Sequence, residues 1–173
     1  MPRKVRSIEE LREVSNHLYY EIMMLVAVAN GLALGIFGEG AVSNALLESF
    51  VVHVRAVMDF LYAPEKPQTD DVIAEDFFQT SESWRQLRPS LSESLSQAKR
   101  RAGKEIAHLT YARLDVTPET KPWHFVQIAS EISAVIDVFL QNVSKDKLGS
   151  QWQQPVEQPN TTLNPGAQKP GAD

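Results

Sequence analysis

Apolar residues recur at every third or fourth position along the first part of the chain, which is the period of an amphipathic helix. One such stretch runs from Leu11 to Leu32, and a second runs from Ser43 to Tyr62. Ser7 and Glu10 stand three residues apart just before the first stretch, which is the spacing of a capping box. Gly38-Glu39-Gly40 lies between the two stretches. The sequence therefore predicts two helices joined by a loop.

A third helix is predicted after an acidic connection over residues 65–90, in which a short helical piece is expected around 72–78. Ser90 and Glu93 have capping-box spacing, an apolar stripe follows from Leu91 to Leu109, and the helix is predicted to continue to about Leu114. Three aromatic residues of the connection are expected to pack on the helices: Phe77, Phe78 and Trp84.

A fourth helix is predicted to begin near Pro118 or Pro122, because proline suits the first turn of a helix. From Gly149 onward the chain is rich in Pro, Gln, Asn and Gly. Such a segment buries too little apolar surface to offset its ordering entropy. We therefore expect an all-α protein, an up-and-down bundle of about four helices over residues 1–148, followed by a disordered tail over 149–173.

The first helix also carries a row of small residues, Ala27, Gly31 and Gly35, each four positions from the next. Small residues at this spacing let another helix approach closely, and symmetric pairs are the commonest assembly, so a homodimer is expected. The alternative is that the glycines weaken the helix and end it early.

The composition limits the classes of function. The chain of 173 residues has no cysteine, which excludes a disulfide framework, a thiolate metal site and a cysteine nucleophile. A net charge of −5 argues against a general nucleic-acid coat, although residues 99–104 form a basic cluster. No secretory leader is visible, and the longest apolar run, 22–37, is shorter than the ~20 residues of a membrane span. A cytoplasmic protein without membrane contact is expected.

One face of the third helix carries polar groups that could perform chemistry. At ~100° per residue, Arg101, Lys104, Glu105 and His108 fall close together. An imidazole beside cations can transfer protons near neutral pH, and an arginine can hold a phosphate with two hydrogen bonds. This pattern predicts a phosphodiester site. The alternative is a solvated face with an Arg101–Glu105 ion pair one turn apart.

The stretch Arg101-Ala-Gly-Lys-Glu-Ile-Ala-His108 resembles the HEPN signature, an arginine followed after four to six residues by a histidine, late in a helical bundle. The segments 50–62 and 106–113 are similar to an uncharacterised group of bacterial HEPN-like proteins, and the resemblance covers about residues 40–140. It implies a helical dimer that is either a metal-independent ribonuclease or an inactive RNA-binding or nucleotide-binding relative.

By this resemblance, Arg101 would hold the phosphate and His108 would act as acid or base. The residue after the arginine is often polar in active members, whereas here it is Ala102. The candidate residues for RNA binding are the neighbouring charged side chains: Lys99, Arg100, Lys104 and Glu105.

The second helix carries another polar group. Glu48, Arg55 and Asp59 lie opposite its apolar face, and His53 lies at the flank of that face. They could form a polar seam with His108 or Arg113 across the bundle. The alternative is an Arg55–Asp59 pair and a hydrogen-bonded histidine at the core edge. Arg113 projects onto the apolar stripe of its own helix, so it would need a carboxylate partner such as Asp59 or Glu48.

Metal chemistry has little support in the sequence. Glu105 and His108 match the Glu-x-x-His pair of di-iron bundles, but no second such pair occurs. The four histidines have no short ligand spacing, so we expect no metal and no cofactor. Two hypotheses remain: a HEPN-like protein directed to RNA, and a non-enzymatic helical module for dimerisation or protein interaction.

Overall fold

The computed structural model describes residues 3–107, 109–117, 119 and 121–153. It is helical, with no strand in that part of the chain, which confirms the all-α class. Five α-helices occur in the described part: α1 Ile8–Ala33, α2 Ala41–Leu61, α3 Ser81–Leu87, α4 Glu93–Arg101 and α5 Phe125–Asn142. A π-helical segment, Ala102–Ala107, extends α4, and short 3-10 segments follow at Tyr111–Asp115, Lys145–Lys147 and Ser150–Gln153.

Helix α1 packs along α2 and α5, and α2, α4 and α5 also contact one another. The connection between α2 and α4 closes one end of this core with aromatic rings. Phe139 of α5 lies at the centre, with the rings of four other residues 5.2–5.9 Å from its own: Phe60, Phe77, Phe78 and Trp84. The buried Trp84 indole donates a hydrogen bond to the Leu61 carbonyl at 2.9 Å. The predicted packing of the connection's aromatic residues is confirmed.

The ends of α1 follow local sequence signals. The Ser7 hydroxyl accepts a hydrogen bond from the Glu10 backbone at 3.2 Å, and the Glu10 carboxylate accepts one from the Ser7 backbone at 2.8 Å, so the capping box is confirmed. Gly35 follows the helix with a φ of +60°, a conformation that glycine adopts without a steric cost. A Cβ on Gly31 or Gly35 would meet no atom within 4 Å. The small residues therefore bring no described helix close, and the alternative that a glycine ends the helix is confirmed at Gly35.

The predicted bounds of the third helix are wrong at both ends. The N-cap of α4 is Ser92, whose hydroxyl accepts a hydrogen bond from the Leu95 backbone at 3.1 Å, rather than Ser90. The α-helix ends at Arg101 and its π-helical continuation ends at Ala107, well before Leu114. Gly103 weakens a helix at this point. The Thr110 hydroxyl then donates to the Lys104 carbonyl at 2.7 Å, and so provides a partner for a carbonyl at the end of the helix.

Helix α5 begins at Phe125, a few residues later than predicted, and Pro118 lies outside the described residues. The boundary expected at residue 148 is also too early, because 149–153 pack on α1. The Gly149 backbone donates to the Ser15 hydroxyl at 2.8 Å, and the Trp152 indole donates to the Ser15 carbonyl at 2.8 Å. The rest of the expected tail, 154–173, lies outside the described residues.

By length and composition, α2 is the one helix of the described part that could cross a membrane. Its mean hydropathy reaches 1.2, and 33% of the apolar window is buried. The buried positions form one stripe that faces α1, α4 and α5: Phe50, Val51, His53, Val54, Val57, Met58, Phe60 and Leu61.

Candidate functional site

The side chain of Arg101 is enclosed at the end of α4. Its Nε donates to both carboxylate oxygens of Glu105, at 2.8 and 2.9 Å. Its Nη1 and Nη2 donate to the backbone carbonyls of Pro122 and Lys121, each at 3.0 Å. The guanidinium carbon lies 4.2 Å from the centre of the Trp123 ring. Only 13% of the side chain is exposed.

These contacts confirm the Arg101–Glu105 pair that the helical spacing allowed as an alternative. They also give Arg101 a structural task, because it ties the π-helical segment to the chain that leads into α5. His108, the other half of the candidate catalytic pair, lies outside the described residues. The catalytic assignment of both residues therefore stays a prediction.

A cavity of about 240 Å³ opens beside Arg101. Its lining includes three basic side chains, Arg100, Arg101 and Lys104, and two acidic ones, Glu105 and Asp115. Arg100 and Lys104 are exposed. Within the described part of the chain, neither of them forms an ion pair, whereas Arg101 and Glu105 neutralise each other. This basic cavity, defined by Arg100 and Lys104, can attract an anion.

Lys99 does not line the basic cavity. Its Nζ forms an ion pair with Asp59 at 2.8 Å and donates to the Tyr62 carbonyl at 3.2 Å. Lys99 therefore links α4 to α2. The basic run in the sequence divides into two structural cations, Lys99 and Arg101, and two free ones, Arg100 and Lys104, which linear spacing could not distinguish.

The segment after the π-helical turn exposes apolar side chains. Leu109 is 92% exposed, Tyr111 is 90% exposed and Leu114 is 81% exposed. The sequence pattern placed Leu109 in the apolar stripe of a longer helix, and that assignment is wrong. Ala112 and Asp115 of the same segment line the basic cavity, so the exposed Tyr111 ring lies in the segment that borders it.

Among the residues that the structure describes, the expected polar seam does not assemble. His53 is buried, and its Nδ1 lies 2.7 Å from the Glu21 carboxylate, which confirms the alternative of a hydrogen-bonded histidine at the core edge. Asp59 pairs with Lys99, so the expected Arg55–Asp59 pair is absent from the described residues. Glu48 and Arg55 are both exposed.

Arg113 is also exposed, and it donates to the Ile106 carbonyl at 3.2 Å. The prediction that it is a buried arginine with a carboxylate partner is wrong, because the predicted helix ends before it and the apolar stripe does not continue.

Other titratable groups lie apart from the basic cavity. A hydrogen bond from the Ser92 hydroxyl lowers the pKa of Glu131, with smaller effects from Gln127 and Ser94. Burial raises the pKa of Tyr62. In the part of the chain that the structure describes, no three His, Asp or Glu side chains form a group that could hold a metal ion.

Sequence reasoning missed the partners that decide the role of each candidate. Glu21 holds His53, and Trp123 with two backbone carbonyls holds Arg101. The only local signal was the i,i+4 spacing of Arg101 and Glu105. In comparisons with protein-family models, curated proteins and solved structures, nothing matches this chain.

Proposed function

We propose that this chain is a HEPN-like RNA-binding protein that holds single-stranded RNA at the basic cavity and does not cleave it. One observation carries the proposal: Arg100 and Lys104 are exposed at the same cavity and form no ion pair within the described residues. Unpaired cations at one cavity attract phosphates, and their contacts release counterions from the nucleic acid. The overall charge of −5 confines such binding to this local site.

The contacts that Arg101 makes within its own chain favour RNA binding over cleavage. An arginine that stabilises a phosphorane must direct its donors at the charge that develops there. Arg101 directs Nε, Nη1 and Nη2 at oxygen atoms of its own chain and stacks on Trp123. Ala102, often a polar residue in active relatives of this kind, is completely buried here. A polar side chain at that position would need a partner in the core.

Single-stranded RNA is favoured because the segment beside the cavity carries an exposed aromatic ring. Tyr111 is 90% exposed and lies in the segment whose Ala112 and Asp115 line the cavity. Unstacked bases pack on such rings, while nearby cations contact the backbone. A duplex keeps its bases stacked and offers Tyr111 no free base face.

The proposal is tested by fluorescence anisotropy with a labelled 20-nucleotide RNA of mixed sequence, in chelator. The full chain should bind this RNA without shortening it. Tyr111→Ala should weaken binding by about 1–3 kcal/mol, the range measured for loss of one base–aromatic stack. Equal affinity for a duplex of the same sequence would contradict the single-strand assignment. Metal-free cleavage that His108→Ala abolishes would show that the ribonuclease hypothesis is the correct one.

A non-enzymatic interaction module is the second candidate. It is favoured by a different observation, the apolar surface that α2 turns outward. That surface is independent of the basic cavity.

A further inference from the structure

Helix α2 has an outward surface that nothing in the described chain covers. Six exposed residues fall within an arc of about 100°, at ~100° per residue, and we call them the outer face of α2: Ala41, Ala45, Glu48, Val52, Arg55 and Ala56. Val52, at the middle of this face, is 60% exposed. The helix as a whole is apolar enough to cross a membrane, yet only 33% of its apolar window is buried. Exposed apolar surfaces of this kind mark interaction sites.

The two charges of the outer face have opposite sign and lie on either side of Val52. Glu48 and Arg55 stand seven residues apart, which places them about 10.5 Å apart along the helix axis and on the same side. Both are exposed, and within the described residues neither forms an ion pair. Val52 lies between them, with Ala45 and Ala56 beyond.

We propose that a second copy of this chain covers the outer face of α2, with the two α2 helices antiparallel and a two-fold axis near Val52. In this arrangement Glu48 pairs with Arg55 of the partner subunit, and Arg55 pairs with Glu48 of the partner subunit. A two-fold interface uses the same surface on both copies, so one surface must carry both halves of every contact. The outer face of α2 meets this condition.

Small residues allow the two helices to approach. Packed helix axes lie 8–10 Å apart, and the distance is set by the side chains at the crossing. Ala45 and Ala56 leave room beside Val52 for this approach. The small-residue row lies on α1 and takes no part in this arrangement.

A second copy fits this face better than a lipid bilayer does. In hydrocarbon, Glu48 and Arg55 would lose their hydration and find no partner. In the two-fold pair, each meets an opposite charge at the rim of an apolar contact. This inference goes beyond the proposed RNA binding, because it uses a different surface and its test does not depend on RNA.

The test is a charge exchange followed by light scattering after size exclusion. The native chain should elute with twice its mass of 19.4 kDa. Glu48→Arg and Arg55→Glu, each alone, should weaken the dimer at least ten-fold, because like charges then face each other. The double variant, Glu48→Arg with Arg55→Glu, should restore the dimer. Mixing the two single variants should form a heterodimer, because both pairs across the two-fold axis are then complementary in sign.

The controls separate charge pairing from misfolding. Lys66→Glu reverses an exposed charge in the connection and should leave the dimer unchanged. Circular dichroism should show helical spectra for every variant. A native chain that is monomeric at micromolar concentration would overturn the proposal, and so would single variants that dimerise as well as the native chain. A monomer that floats with phosphatidylcholine vesicles would assign the face to a membrane instead.

Discussion

The guanidinium of Arg101 lies over the Trp123 ring, with the guanidinium carbon 4.2 Å from the ring centre. The contact joins the end of α4 to the segment that begins α5, and it sits at one wall of the basic cavity. An arginine at this place contributes a cation–π contact, an ion pair and two hydrogen bonds to carbonyls. Its removal therefore affects the fold before it affects any ligand.

Arg101→Ala is expected to lower the free energy of unfolding by about 2–3 kcal/mol, since a partly buried cation–π contact and charge-assisted hydrogen bonds are lost together. Arg101→Lys should recover less than half of this loss, because an ammonium cannot reproduce the planar fork of a guanidinium. Urea unfolding measures both changes. Arg100→Ala is the matched control and should stay within about 0.5 kcal/mol of the native chain. A stable Arg101→Ala protein would mean that the enclosed geometry contributes little.

The first two helices could be predicted from the sequence because their signals are local. The reciprocal pair of Ser7 and Glu10 caps α1 with residues three positions apart, and the apolar period of α2 continues without interruption to Leu61. The end of the third helix could not be predicted in this way. Leu109 keeps the helical period of the preceding apolar stripe, yet it faces solvent, and Thr110 contacts the carbonyl of Lys104.

The candidate site was identified only in part for the same reason. Spacing correctly grouped Arg101 with Glu105. It could not show that Trp123, far along the chain, stacks on Arg101, or that Lys99 turns toward Asp59. The role of a charged side chain depends on the partner it meets after folding, and that partner is set by tertiary contacts.

The two glycines at the end of α1 should respond to alanine with opposite signs. Gly31 is helical and a Cβ there meets no atom within 4 Å, so Gly31→Ala should stabilise the chain by about 0.5–1 kcal/mol. Gly35 has a φ of +60°, so Gly35→Ala should destabilise it by about 1 kcal/mol. Thermal unfolding of the two variants measures the difference. A destabilising Gly31→Ala would indicate that another helix does approach that position.

Ser92 should contribute to the stability of the chain, whereas Ser90 should not. Ser92→Ala removes the cap of α4 and the 2.5 Å hydrogen bond to the Glu131 carboxylate, so a loss of about 1 kcal/mol is expected at pH 7. Ser90→Ala is the matched control and should be nearly neutral, because Ser90 does not cap the helix. Equal losses in the two variants would contradict the assignment of the cap.

The Ser92 effect should also depend on pH. The hydrogen bond from Ser92 lowers the pKa of Glu131 below its usual value of 4.5 in the folded protein. A lowered pKa stabilises the fold at pH values above 4.5, and this stabilisation is lost as the pH falls through the folded pKa. The difference between the native chain and Ser92→Ala should therefore shrink in acid. NMR titration should show the pKa of Glu131 rising in the variant.

Because 149–153 contact α1, two truncated chains should differ in stability. A chain that ends after Gln153 keeps the hydrogen bonds of Gly149 and Trp152 to Ser15, whereas a chain that ends after Leu148 loses them together with the Trp152 ring contact to Tyr19. The shorter chain should be less stable by about 2 kcal/mol. Urea unfolding of the two truncated chains measures the contribution of these five residues to stability. Equal stability would restore the domain boundary at 148.

The salt dependence of RNA affinity tests the proposed function most directly. Each phosphate contact that is lost should make the slope of log affinity against log salt shallower by about 0.7 for a single strand. Arg100→Gln and Lys104→Gln should each produce this change and weaken binding. Lys66→Gln, an exposed lysine away from the basic cavity, should leave the slope unchanged. An unchanged slope in both Arg100→Gln and Lys104→Gln would contradict the account. The absence of RNA affinity in the native chain at low salt would also contradict it.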